Sequence, residues 1–375
     1  MGDVVVAIDG GTESVRVALL SASSGEVLHS CAEKYPTQTP ANGWAEQRPA
    51  DWWASLCAAC TACVAEADIP AERIVGLSFV TTTCTLLALG ADGEPLGDAL
   101  LWSDVRSSAQ AERIHATRHP AITRVSAGGF SAEWMLAKTL WLAEERPELY
   151  AQAEHIVEYG DWLLRKLCGV LALSGNTATQ RWLYDNSDTE AGRWPTDLFA
   201  TLGLESLESK LPPVLQVGDE ASAGLTPDAA RALGLPQGCR VFVGGGDAFV
   251  GLLGMGVSSA GEFGLMTGSS NVLSGFTATL SAQGEGLFGA FPNAVVPGAA
   301  LLEAGQPATG SMLCARSDSA PRPPSRPAPD LSSSQLTGRC VGPPGVGSSK
   351  SSAVGAPCKS WTRTPRPSPR APAAW

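Results

Sequence analysis

A short apolar β run that stops at a glycine-containing turn rich in hydroxyl residues, then doubles back into a second β run, occurs twice in this 375-residue chain. The first copy is Val4–Asp9, the turn Gly10-Gly11-Thr12-Glu13-Ser14, and the return Val15–Leu20. The second is Glu262–Met266, the turn Thr267-Gly268-Ser269-Ser270, and Asn271–Phe276, preceded by an apolar run, Arg240–Val243, that breaks at Gly244-Gly245-Gly246-Asp247. Glycine lets the backbone approach an anion closely, and successive N–H groups in such a turn form a concave nest. Two copies near the two ends of the patterned region predict two related domains facing each other across a cleft, each offering a phosphate-binding turn.

Between the copies, further strands are predicted over Glu26–Tyr35, Ile74–Val80 and Thr85–Leu89. Helices are predicted over Asp51–Glu66, Val105–Thr117, Glu133–Glu145, Asp161–Leu167 and Phe249–Met255. The alternation reads as α/β. A net charge of −11 argues against nucleic acid as a partner. No apolar run reaches the ~20 residues of a membrane span, so no membrane is expected. Met1-Gly2-Asp3-Val4 runs straight into a strand without the basic flank and apolar core of a signal peptide, so a cytoplasmic location is expected. Cys57, Cys60 and Cys63 repeat at helical spacing and read as core thiols rather than a metal set. His29, His115, His119 and His155 show no ligand spacing.

Several positions carry chemistry. Asp9 at the strand end is placed to hold Mg2+ through water, because Mg2+ keeps several waters and few carboxylates. Thr12 and Ser14 add hydroxyls, and Arg16 adds charge. The bland alternative is a simple β-hairpin; a P-loop G-x4-G-K-[ST] is absent from the sequence. Asp247 reads either as a helix N-cap or as a general base at the cleft mouth. Trp44, Trp52 and Trp53 read as core aromatics. Glu133, Trp134 and Lys138 sit at helical spacing, where i,i+4 contacts alone would account for them.

An ordered series of segments resembles the FGGY carbohydrate kinases, which share the actin-like ATPase (ribonuclease H-like) core. The series runs through Asp9–Arg16, Gly43-Trp44-Ala45-Glu46-Gln47, Asp51-Trp52-Trp53 and Leu101-Trp102-Ser103-Asp104-Val105-Arg106. It continues through Ser131–Lys138, Glu158-Tyr159-Gly160-Asp161-Trp162, Gly244–Asp247, Thr267–Ser270 and Leu302-Glu303-Ala304-Gly305-Gln306. Ser-x-Glu-Trp-x-x-x-Lys and Leu-Glu-Ala-Gly-Gln are similar to the ribulokinase branch. The resemblance implies ATP-dependent phosphorylation of a ketopentose such as ribulose, with ATP and Mg2+, a small-molecule sugar as partner, and a homodimer left open. It implies Asp247 as the base, and a sugar site including Thr82, Thr83, Trp102, Asp104, Arg181, Asp247 and Glu303. It implies an ATP/phosphate site of Gly11, Thr12, Glu13, Ser14, Arg16, Gly268, Ser269 and Ser270.

Three departures bear on specificity and completeness. Val80 stands where ribulokinases usually carry an acidic residue, and Arg181 where they carry a sugar-contacting lysine. The adenine-sandwiching Gly-Gly-x-x-x-Asn/Gln turn of the family is not found before Trp375. Residues 315–375 carry 9 Lys/Arg against 2 Asp/Glu and 12 of the 27 prolines, a charge of +7 beside −18 for the rest. Such a segment is expected to be disordered, either as a natural tail or as a frameshift or intron read through. The expected domains are 1–256 (sugar and phosphate binding), 257–312 (the start of a second, incomplete domain) and a tail, 313–375. The rival readings are a xylulokinase-like kinase and a sugar-binding remnant without catalysis.

Overall fold

The structure, a computed structural model, describes residues 2–267, 271–280 and 286–306. Gly268, Ser269, Ser270 and the tail 313–375 lie outside the described residues. Strands β1 (Val4–Gly10), β2 (Ser14–Ser21) and β3 (Val27–Lys34) form a meander. Strand β4 (Ile74–Thr81) then pairs in parallel with β1 on its other side. Alternation sets the faces: Val4, Val6, Ile8, Val15, Val17 and Leu19 are all buried, with their neighbours turned outward.

Helix α1 (Pro49–Ala67) covers this sheet. Proline opens it, where no N–H is needed, and Trp52, Leu56, Ala59, Cys60 and Cys63 form its buried stripe. Burial pushes the Cys60 thiol up to about 12 and that of Cys63 to about 11, so both are neutral core thiols. Trp52 stacks on Tyr159 with ring centroids 3.9 Å apart, and its indole N–H donates to Gln47 at 2.8 Å. Helix α2 (Met135–Glu145) starts later than its pattern predicts, because Glu133 and Trp134 form a turn before it. Helix α3 (Tyr159–Cys168) opens with a reciprocal capping box between Glu158 and Asp161 and closes on Gly169 at φ 80°. Helix α4 (Gly175–Arg181) follows.

Strands β5 (Glu220–Ser222) and β6 (Arg240–Gly246) complete a six-stranded sheet of order β5-β6-β4-β1-β2-β3. The Arg240–Val243 run, which precedes the second hairpin in sequence, belongs to the first sheet, where it pairs in parallel with β4. Helix α5 (Asp247–Gly254) leaves directly from β6. The second hairpin is present as expected, with β7 (Phe263–Thr267) antiparallel to β8 (Asn271–Thr277) and Thr267 opposite Asn271. It joins β9 (Phe288–Pro292) and β10 (Ala300–Gln306) in a four-stranded sheet, β7-β8-β10-β9. Phe276, Phe291 and Leu301 are buried, whereas Phe263, Leu265 and Leu273 are among the exposed large hydrophobic residues. No helix among the described residues is long and apolar enough to cross a membrane.

Candidate active site

A cleft of about 790 Å³ lies where the ends of β1, β4 and β6 meet the second sheet. Three segments that are far apart in sequence build its floor.

The first is the Gly10–Ser14 turn. The Gly11 N–H closes the turn on the Ser14 carbonyl at 3.0 Å. The Tyr35 hydroxyl donates to the Gly11 carbonyl, and the Gln47 amide donates to the Thr12 carbonyl at 2.7 Å. A trans peptide points its N–H opposite its C=O. Holding those two carbonyls against Tyr35 and Gln47 therefore turns the N–H groups of Thr12 and Glu13 the other way, as an anion nest requires. The Trp102 indole donates to the Thr12 hydroxyl at 3.0 Å, which leaves that hydroxyl its own proton to donate. Asp9 accepts from Arg16 at 2.7 Å through one carboxylate oxygen. Its side chain is 35% exposed at the cleft edge, so the other oxygen is available to a hydrated cation.

The second segment is the loop after β4. Its start is tied to β1 by the Thr82 N–H, which donates to the Gly10 carbonyl at 3.0 Å. Cys84 takes a φ of 58°, a region that non-glycine residues avoid. It is clamped there from both sides: its N–H donates to the Glu158 carboxylate at 2.7 Å, and its carbonyl accepts from the Lys138 ammonium at 2.7 Å. Lys138 also donates to the Leu101 carbonyl, one residue before Trp102. This fully buried lysine therefore fixes both the threonine loop and the Trp102 segment, a role its helical spacing to Glu133 does not disclose. Burial draws the ammonium down to about 8, and burial pushes Glu158 up to about 8.

The third is the β6–α5 junction. A Cβ on Gly244 would stand 1.6 Å from the Phe79 carbonyl oxygen, and one on Gly246 would stand 2.2 Å from a Thr83 methyl, so both positions must be glycine. The Gly246 N–H is held by Asn176 at 2.8 Å. Gly246 is the cap residue, and Asp247 is the first residue of the helix, its Oδ1 accepting from the Ala248 N–H at 2.7 Å. Burial pushes the Asp247 carboxyl up to about 6; the Ala248 bond holds it down, and the nearby Asp9 charge adds to the rise.

Helix α4 meets the second sheet through a buried ion pair. Arg181 makes two parallel bonds to Glu303, at 2.8 and 2.9 Å, and Gln180 adds a third at 3.1 Å. Burial lowers the Arg181 pKa, but the Glu303 carboxylate outweighs it, and the guanidinium is held well above its usual range. The Phe249 ring stacks on it at 4.9 Å.

The cleft lining therefore contains Asp9, Gly11, Thr12, Glu13, Ser14, Arg16, Thr82, Thr83, Trp102, Arg181, Asp247 and Glu303. Asp104 is not brought to it. Its carboxylate is fully buried and committed to the Ala45 N–H at 2.7 Å and to Arg106, whose guanidinium lies 3.7 Å from the centre of the Trp44 ring. It braces the wall behind Trp102 instead. Sequence reasoning missed Ser131, Glu133, Trp134, Phe249, Asn271 and Phe288, which also line the cleft. The Ser-x-Glu-Trp segment was the available signal for the first three. Glu133 is raised by burial and has Lys138 and Arg181 as neighbouring cations.

The sequence profile described as the FGGY family of carbohydrate kinases, N-terminal domain, matches residues 4–254. The chain belongs to this family. Ribulokinase from Shouchella clausii (strain KSM-K16) is 29% identical over 337 residues, covering 82% of this chain and 59% of that protein. An FGGY carbohydrate kinase domain-containing protein from Homo sapiens is 31% identical over 339 residues, with the same two coverages, 82% and 59%. Among solved structures, the ligand-bound xylulose kinase from Lactobacillus acidophilus superposes with a TM-score of 0.72 at 18% identity, covering 84% of this chain and 62% of that one. The fold is accordingly the actin-like ATPase fold of the family's kinases. The chain spans 59% of the length of these curated relatives.

Proposed function

We propose that this chain carries the sugar- and phosphate-binding side of an ATP-dependent ketopentose kinase. The observation that carries the reading is the Asp247 carboxylate, at the start of α5, sharing one cleft with the Gly10–Ser14 turn whose Thr12 and Glu13 N–H groups face away from their tied carbonyls. In-line phosphoryl transfer needs a base for the acceptor hydroxyl, a fixed sugar, and neutralisation of the transferred charge. Asp247 takes the proton. Thr82, Thr83, Trp102 and the Arg181–Glu303 pair bind and orient the sugar. The nest, the Thr12 and Ser14 hydroxyls and Arg16 hold phosphate. Mg2+ fits at Asp9, where it would neutralise nucleotide phosphates through bound water. The similarity to ribulokinases supports ribulose as the substrate.

The test is a coupled ADP-release assay over ribulose, xylulose and glycerol, run on the chain and on a version carrying a full FGGY carboxy-terminal domain. Ribulose is expected to be fastest, and a clear preference for glycerol overturns the assignment. In the active version Asp247→Asn should lower kcat by ~10²-fold or more with little change in KM, since asparagine keeps the shape but accepts no proton. Turnover within about threefold of the parent removes Asp247 from the role of base. The partial span of the relatives favours one other reading: the chain binds a sugar without turning it over. A sugar-dependent rise in melting temperature with no ADP release from either version would select it.

A further inference from the structure

A second group of chemistry-bearing side chains lies at the β3 edge of the six-stranded sheet, outside the cleft lining. His29 and Cys31 stand two residues apart on β3, so they share a face. Cys63 and Glu66 stand three apart on α1, which packs on that face. His29 Nε2 is 3.1 Å from Glu66 Oε2, and Cys31 Sγ is 3.7 Å from the same oxygen. The three ligand atoms all lie within 4.8 Å of one another. Cys63 is buried on the same helix, three residues before Glu66, and its thiol donates to the Val17 carbonyl of the neighbouring strand at 3.6 Å.

We propose that His29, Cys31, Glu66 and Cys63 form a zinc site that pins the outer strand β3 to helix α1. Three of the four ligand atoms are already gathered. Tetrahedral zinc with bonds of about 2.0–2.3 Å has ligand–ligand edges of about 3.3–3.8 Å. The His29–Glu66 and Cys31–Glu66 separations fall close to that range without movement of the backbone. The ligand set is one imidazole, one carboxylate and two sulfurs, which suits a borderline-soft d¹⁰ ion and not Mg2+ or Ca2+. Burial and then the Glu66 charge raise the Cys31 thiol, so the group as it stands crowds a thiol against a carboxylate. A divalent cation turns that crowding into ligation, with the thiol protons released on binding. Cys63 must turn its sulfur from the Val17 carbonyl, to which it now donates at 3.6 Å. No part of this site touches the cleft, so it acts on the anchoring of β3 and not on phosphoryl transfer.

The test is a titration of the reduced, chelator-treated 375-residue chain with ZnCl2 against a chromophoric competitor, with Co2+ as a spectroscopic probe. The chain should bind one equivalent more than the His29→Ala/Cys31→Ser double variant, with Kd below about 1 μM. His29→Ala alone should weaken that equivalent by at least ~10-fold. The thiolate-to-cobalt charge-transfer band should fall on Cys31→Ser and on Cys63→Ser. As a measurement free of any variant, Zn2+ should protect Cys31 from alkylation in the unmodified chain, read by peptide mass spectrometry. Equal zinc stoichiometry in parent and double variant, or alkylation of Cys31 at the same rate with and without Zn2+, overturns the site.

Discussion

Two of the sheets in this molecule start from the same hairpin unit, and they end differently. In the six-stranded sheet, Val6 and Ile8 of β1 and Val17 and Leu19 of β2 face a cover built by α1 and α3, and Trp52, Tyr159 and Trp162 seal the join. In the four-stranded sheet, β8, β9 and β10 bury Phe276, Phe291 and Leu301 on one side, while β7 and β8 present Phe263, Leu265 and Leu273 to solvent. Leu265 lies directly opposite Leu273, so the exposed side chains form one stripe. A strand–turn–strand motif specifies a local hairpin and says nothing about what will cover it. The cover comes from helices placed elsewhere in the sequence. Where those are present the hairpin becomes a core; on the second sheet it leaves an apolar face of the kind that marks an interface or an association risk.

The junction between the sheets should be the most sensitive place. Arg181 on α4 and Glu303 on β10 are 7% and 9% exposed, and each is the other's counter-charge. Arg181→Met strands a buried carboxylate and should cost ~3–5 kcal/mol, measured by urea denaturation. Pairing it with Glu303→Leu should recover most of the loss, because an apolar pair of similar volume carries no desolvation cost. A single variant as stable as the parent would mean the sheets are not held together through this pair.

The next test sets one residue type in two places. Leu19 on β2 is fully buried, while Leu265 on β7 is 58% exposed. Leu19→Ala should cost ~2–5 kcal/mol, by lost transfer energy and a residual cavity. Leu265→Ala should change stability by less than ~0.5 kcal/mol, and should raise the concentration at which the chain stays monodisperse. Similar costs at both positions would show that the β7–β8 face is covered in solution.

Much of this was readable in advance, for reasons that separate by range. Both hairpins, α1 and the strand Ile74–Thr81 follow from local alternation or a 3.6-residue stripe. The placement of Arg240–Gly246 did not follow, because its partner, Ile74–Thr81, lies more than 150 residues earlier and parallel pairing leaves no turn signal between them. At the cleft, Asp9, Thr12 and Asp247 were legible from glycines at strand ends, although the same glycines also serve packing: Gly244 and Gly246 stand against Phe79 and Thr83. Asp104 misled, because its aspartate character is legible in the sequence while its burial against Arg106 and the Ala45 N–H is not. Lys138 was legible only as a residue at helical spacing and Glu158 only as part of a motif, and the backbone of Cys84 between them shows what they hold.

The smallest effect concerns Asp247, and it separates function from stability at one residue. Its carboxyl is raised by burial from 3.8 to about 6, so the folded chain disfavours the ionised form. A carboxyl whose folded pKa lies above its unfolded value contributes most to stability below the unfolded value. That contribution is lost as pH rises from about 4 through about 6. Asparagine mimics the protonated acid in shape and can still accept from the Ala248 N–H. Asp247→Asn should therefore stabilise the chain at pH 8, by an amount on the order of 1–3 kcal/mol. The gain should shrink as pH falls through about 6 and vanish near pH 4. Denaturation curves of parent and variant at pH 4, 6 and 8 measure it. A variant less stable than the parent at pH 8 would make Asp247 a structural brace of α5. A gain that vanishes in acid would mark a charge that the fold holds at a cost to its own stability, as a base in a dry cleft requires.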